Sequence, residues 1–314
     1  MGAEAQLIER EQRWAMPAAI AAMAGVALII AANFVLAGVG GDGEAEFLRS
    51  ADREGGTVIL SSLLSALGFT LLAAPLVYLF QAALGRSDRM RGQLIGVVVA
   101  APLFLAASAG LTGVVTENAA SDFVAGNVEA EIDARDAAPD CREERNDVDA
   151  EAFREEYGAG GIAACTRSKV EDDAGQRALE EASLQPLAFG FQLGGRLGMA
   201  VALLYTCLHA MRIGLLTRFW GSLGMAVGAI AFLLPIFTLV FFIYLGLLIA
   251  GWVPGGRPPA WAAGRAISWP APGEEPPEEE ALPGSGRELD EGEDRPPANP
   301  ARQRGERRKR KRRQ

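Results

Sequence analysis

Few residues in this chain have the types and spacing that chemistry requires. Cys141 and Cys165 lie in one polar stretch, and in an oxidising compartment such a pair persists as a disulfide. Two unpaired cysteines in a mobile loop are the alternative. With a single histidine in the chain and this cysteine spacing, a Cys/His metal centre is not expected. Arg196, with Gln192 one helical turn before it, falls inside an apolar run. An ionisable group there is a functional-site hypothesis by default. It would bind an anionic solute, pair with an acid such as Glu117, or snorkel to headgroups. His209, beside Arg212, lacks a neighbouring carboxylate in sequence and reads as an interfacial polar residue rather than a proton relay. Asp147-x-Asp149-x-Glu151 begins like a calcium loop but lacks the glycine such a loop needs at its sixth position. No phosphate-binding glycine loop, H-E-x-x-H or G-x-S-x-G is present, so no catalytic, cofactor-binding or metal-ligating residue is assigned.

The elements that would position these residues are membrane helices. Half of the 314 residues are hydrophobic and the formal net charge is −9. The two characters are segregated: long apolar runs alternate with short polar loops. Runs longer than about 18 residues are spanning candidates. They cover Trp14–Val39, Thr57–Leu84, Gly92–Val115, Leu187–Met211 and Phe219–Trp252. The first is longer than a secretory signal's apolar core of about 7–15 residues, so a retained anchor is expected. The expected fold class is all-α, a polytopic bundle.

The last run sets the helix count. Its 34 residues would make a helix about 51 Å long, against a hydrocarbon core of roughly 30 Å. It is either one steeply tilted helix, giving five spans, or two short ones turning at Pro235, giving six. Cytoplasmic loops are enriched in Lys and Arg. Arg10 and Arg13, Arg86, Arg89 and Arg91, and Arg212 and Arg218 fall on one side if the first four spans alternate. The basic C-terminal run Arg307, Arg308, Lys309, Arg310, Lys311, Arg312 and Arg313 joins that side only with an even count, which favours six.

The resulting layout has a cytoplasmic N-terminus (1–13), three helices (14–115), an external acidic loop (116–186) and three helices (187–252). An interfacial Pro/Trp segment (253–270) and a tail (271–314) follow. The loop is mostly too polar for a core of its own, with short helices expected at Asp147–Tyr157 and Asp172–Ser183. Trp252, Trp261 and Trp269 read as headgroup anchors. The tail, rich in Pro, Gly and Glu before its basic end, is expected to be disordered. That end would bind anionic lipids, with no folded module for specific nucleic-acid recognition. In span four, Gly190, Gly194, Gly198 and Ala202 form a smooth stripe for helix packing, within the chain or in a homo-oligomer. Cys207, in the same span, reads as a small packing residue.

Arginine outnumbers lysine 27 to 3, a composition typical of GC-rich bacteria. The segment Met211-Arg212-Ile213-Gly214-Leu215-Leu216-Thr217-Arg218-Phe219-Trp220-Gly221-Ser222-Leu223-Gly224 resembles actinobacterial multi-pass membrane proteins of unassigned activity. So does Pro254-Gly255-Gly256-Arg257-Pro258-Pro259-Ala260-Trp261, with Trp269-Pro270 after it. The resemblance implies architecture, source and a turn near Pro235, and transfers no catalytic residue. The functional expectation is a non-enzymatic inner-membrane component of envelope or assembly machinery, with lipids and a membrane-protein partner as contacts. A small-solute transporter with Gln192 and Arg196 lining a polar path is the alternative, and a membrane-embedded enzyme ranks third.

Overall fold

The structure is a computed structural model that describes residues 3–41, 43–126, 128, 132, 141, 153, 157, 160–230 and 236–269. Its elements are α1 (Ala3–Ala37), α2 (Glu44–Arg53), α3 (Gly55–Leu84), a 3₁₀ turn (Gly92–Leu94), α4 (Ile95–Ala125) and α5 (Ile162–Glu181). Then come α6 (Gln185–Arg212), α7 (Arg218–Ile230), α8 (Ile236–Ala250) and the short α9 (Pro259–Ala263). No strand occurs among the described residues. Four helices, α1, α3, the turn-plus-α4 segment and α6, are long and apolar enough to cross a membrane, and α8 is a shorter apolar helix. The chain is therefore an all-α, multi-pass membrane protein. Residues 270–314 form a second unit that lies outside the described residues, as does the expected disorder of the tail.

The long helices approach closely where side chains are small. A Cβ on Gly25 of α1 would come within 2.9 Å of the Gly68 carbonyl oxygen of α3, so the two backbones nearly touch. The stripe on α6 serves the same purpose against α4. A Cβ on Gly194 would meet Phe104 at 3.2 Å, and one on Gly198 would meet Ala101 at 2.9 Å, while Ala202 is buried. Gly195, off the stripe, meets Leu105 at 2.8 Å. Gly190 meets nothing within 4 Å, so the stripe is an intramolecular contact only over its deeper part.

The stretch after span four folds back on itself. Trp220 of α7 stacks on Tyr244 of α8 with ring centroids 3.5 Å apart, and a Cβ on Gly224 would meet Phe241 at 2.7 Å. Ascending numbers on one helix pair with descending numbers on the other, so α7 and α8 are antiparallel. Pro235, the expected turning point, lies outside the described residues. The described parts of the legs have 13 and 15 residues, about 20 and 22 Å at 1.5 Å per residue.

At one end of the bundle the structure departs from expectation. The polar stretch after α1 contains α2, and α4 runs on to Ala125. With α5 they enclose a small apolar cluster that includes Leu48, Val115, Ala119, Phe123 and Ala182. A loop too polar for its own core was expected. The loop does not make this core alone, because α2 and the overhang of α4 supply most of it. The sequence hid α2 because only Ala45, Leu48 and Ala51 of its ten residues are buried, one per turn. Helix α5 overlaps the expected Asp172–Ser183 helix but starts ten residues earlier, at Ile162, and ends at Glu181. Of the expected Asp147–Tyr157 helix, only Phe153 and Tyr157 are among the described residues, and they pack with Cys141 and Cys165. The calcium-like Asp147–Glu151 pattern lies outside them.

Candidate functional site

The most organised polar site lies at the other end, where α1, α3, α6, α8 and the segment after α8 converge. Arg86 follows the last turn of α3, and its side chain is fully buried. Its NH1 and NH2 donate to the two carboxylate oxygens of Glu11 on α1, the NH2 contact at 2.8 Å. Its Nε donates to the Ala260 carbonyl (3.1 Å), NH1 also to Ala82 (2.9 Å), and NH2 also to Trp261 (3.5 Å). All five guanidinium N–H directions are thereby occupied. A charge in a dry site is tolerated only when paired and hydrogen-bonded in this way.

Trp261 holds the other side of the site. It is 5% exposed, and its indole Nε1 donates to the Leu215 carbonyl at 2.9 Å. Tyr78 stacks on it at 5.8 Å with planes 7° apart, and the Tyr78 hydroxyl donates to the Glu11 backbone carbonyl at 3.2 Å. The guanidinium carbons of Arg86 and Arg257 sit 5.7 and 5.8 Å from its ring centroid, within cation–π range. Arg257 also donates to the Leu248 carbonyl at the end of α8 (3.1 Å). Trp269 is half-buried and donates to the Leu216 carbonyl (2.8 Å), and the Ile267 amide donates to Ile213 (3.1 Å). The segment after α8 is thus a strap across the bundle end. Gly214 makes room for it: its φ is +78°, a conformation that disfavours a side chain, and a Cβ there would collide with the Ile267 carbonyl.

Of the three tryptophans read as headgroup anchors, only Trp252 has that exposure, at 70%. Trp261 is core, and this corrects the expectation. A tryptophan after a proline-rich break resembles an anchor in sequence, and only the fold shows the carbonyl waiting for its N–H.

The convergence also orients the helices. The start of α1, the end of α3, the α6–α7 connection and the end of α8 all bond at this site, so they share one end of the bundle. Arg10, Arg13, Arg89, Arg91, Arg212 and Arg218 extend from those same termini and are exposed.

The opposite end carries an acidic surplus on α2, the end of α4 and α5. Arg49 of α2 pairs with Glu171 of α5 at 2.9 Å and lies 5.5 Å from the Phe123 ring centroid. Arg167 reaches the same carboxylate at 3.0 Å. Burial alone would raise the Glu171 pKa, but hydrogen bonds and charge from Arg49 and Arg167 outweigh it and hold the carboxyl below its usual range. Asp172 accepts the Ala45 backbone N–H at 3.2 Å near the start of α2. Cys165, in the first turn of α5, is bonded to Cys141.

The other expected site residues are dispersed. Gln192 and Arg196 are half-buried on α6. Glu117 is exposed on α4 and faces α3, its Oε1 lying 3.5 Å from a Cβ position on Gly55. His209 is buried, 4.5 Å from the Tyr205 ring, and the Tyr205 hydroxyl accepts the Arg91 backbone N–H at 2.8 Å. Cys207 is buried in the main core. Residues 307–313 lie outside the described residues. Among the described residues, no three His, Cys, Asp or Glu side chains group as metal ligands would. No family model, curated protein or solved structure matches the chain.

Proposed function

We propose that this protein is a non-enzymatic, multi-pass component of a bacterial inner membrane, serving envelope or assembly machinery through contacts at its two ends. The observation that carries the reading is the contrast between those ends. One presents exposed arginines around a saturated ion pair and leads into the basic tail. The other presents an acidic, disulfide-bonded cap. Arginine-rich termini belong on the cytoplasmic side, and disulfides persist on the opposite one. The Arg86–Glu11 pair supports a structural role, because its donors are spent within the protein rather than turned towards a substrate.

Purification of the full chain in mild detergent tests this. A stoichiometric membrane-protein partner should copurify and be lost when residues 127–160 or 271–314 are deleted. A monodisperse protein with no partner, or a partner indifferent to both deletions, would reject the reading.

A further inference from the structure

The hairpin covers its neighbours over only part of their length. On α1, Ala15, Ala19, Ala22 and Val26 form one stripe and are buried, with Gly246 of α8 set against Ala19, Ala22 and Met23. The same stripe continues as Ile30, Asn33 and Ala37, and these are exposed; Val26 is 3% exposed and Ile30 39%. On α6, Cys207 and Leu203 are buried against Gly224 and Gly228 of α7. Their stripe continues as Ala200, Arg196 and Gln192, half-buried, and then Phe189, 59% exposed. Both walls lose their cover towards the acidic end. This lies beyond Ile230 of α7 and before Ile236 of α8, the last described residues of the two legs, on neighbours of 35 and 28 residues. At the first turn of α8, Ile236 and Phe237 are 58% and 49% exposed.

We infer that the flank between α1 and α6, above the α7–α8 hairpin, is a lateral groove that binds an anionic phospholipid of the leaflet on the acidic side. Ile30, Phe189 and Phe237 offer apolar surface to acyl chains. Arg196 supplies the charge, and Asn33 and Gln192 supply amides. Side chains on a helix lean towards its N-terminus, and the N-terminus of α6 lies at the acidic end. Arg196 therefore leans up the groove towards the headgroup layer, where a phosphate accepts its hydrogen bonds. Arg196 has interactions within the protein as well, and a guanidinium has five donors to divide between protein and lipid. Asn33 donates one amide hydrogen to the Ile29 carbonyl at 2.7 Å. It is exposed at a depth where apolar residues are the rule. This inference stands apart from the proposed envelope role and does not depend on it.

Native mass spectrometry of the full chain tests it, using detergent micelles with equal phosphatidylglycerol and phosphatidylcholine. One phosphatidylglycerol per chain should be retained in preference. Arg196→Gln should reduce that retention about fivefold, the worth of one cation at a lipid surface, while Arg218→Gln at the other end leaves it unchanged. Asn33→Leu, an exposed substitution that spares the core, should also lower it. Three outcomes would overturn the inference. One is retention as in the wild type in both Arg196→Gln and Asn33→Leu. Another is binding of inorganic phosphate in place of lipid. The third is Ile30→Cys forming disulfides between chains at high yield, which would give the groove to a second copy.

Discussion

Glu11 and Arg86 are 75 residues apart in sequence, yet they form a two-pronged ion pair that joins α1 to the end of α3. The same arginine bonds two carbonyls of the strap, so three segments depend on one guanidinium. Removing either partner strands a buried charge, at a cost of about 3–5 kcal/mol. Glu11→Gln and Arg86→Gln should each lower the thermal midpoint in detergent by several degrees. Glu11→Leu with Arg86→Met should cost less than Glu11→Leu and Arg86→Met alone added together, since the double replacement leaves no unpaired charge even though the Ala82, Ala260 and Trp261 carbonyls lose their donor. Strict additivity in that double-mutant cycle would show that the two side chains are not coupled.

Trp261 is the strap's anchor, and its indole N–H is the part that no other aromatic supplies. Trp261→Phe keeps most of the stacking on Tyr78 but leaves the Leu215 carbonyl without its donor. The expected loss is about 1–3 kcal/mol, concentrated in the strap. Limited proteolysis should then cleave within residues 253–269 well before the helices. Wild-type resistance in that segment would argue against the anchor.

What was legible in the sequence follows from which forces are local. Four spans could be read because burial in a bilayer demands a continuous apolar run. The reversal between α7 and α8 could be inferred from length and charge parity, since 34 apolar residues exceed one crossing. Arg86 was visible as one of a cluster of loop arginines, but nothing local separates it from exposed Arg89 and Arg91. Its burial follows from Glu11 and the strap arriving beside it. Glu11 itself looked like a residue of a polar terminus, because α1 begins well before its apolar run. The core at the acidic end is hidden for a related reason: it is assembled from α2, which buries only three of its ten residues, from the polar α5, and from the part of α4 that runs on past its apolar stretch.

The cap's ion pair gives a pH signature. Glu171 has a folded-state pKa below its unfolded value, so it contributes stability that is full above the ordinary carboxylate range of about 4.3. That contribution is lost as pH falls through the folded value. Hydrogen exchange of the α2 and α5 amides should report it. Glu171→Gln should raise exchange at neutral pH and match the wild type in strong acid. An unchanged difference between the two across that range would mean that the Arg49–Glu171 pair contributes nothing to the cap.

The disulfide closes a loop with a sequence separation of 24 residues, worth about 3 kcal/mol in the chain-entropy account. Cys165 sits in the first turn of α5 and packs against Phe153 and Tyr157 through its cluster. Reduction should shift electrophoretic mobility in the wild type and not in Cys141→Ser. It should also loosen the start of α5 while the glycine-packed α1–α3 contact stays protected. Protection lost at both places together would mean that cap and bundle unfold as one unit.

Topology is the prediction with the widest reach. The α6–α7 connection and the end of α8 are bonded to the same strap, through Leu215, Leu216 and Leu248. Whatever depth the hairpin reaches, it enters and leaves by one face, so the start of α1 and the strap after α8 share a side. In a Cys207→Ser background, single cysteines at Arg13, Arg218 and a tail position such as Gln303 should all label from the arginine-rich side. One at Glu181 should label from the other. The overhang of α1 and α6 on the acidic side adds a finer expectation: Ile236→Cys should stay unreactive towards a membrane-impermeant reagent added on that side, screened by lipid and the flanking helices. Ready labelling of Ile236→Cys from that side would make α7 and α8 true crossings. Labelling of Gln303→Cys from that side would remove the hairpin altogether.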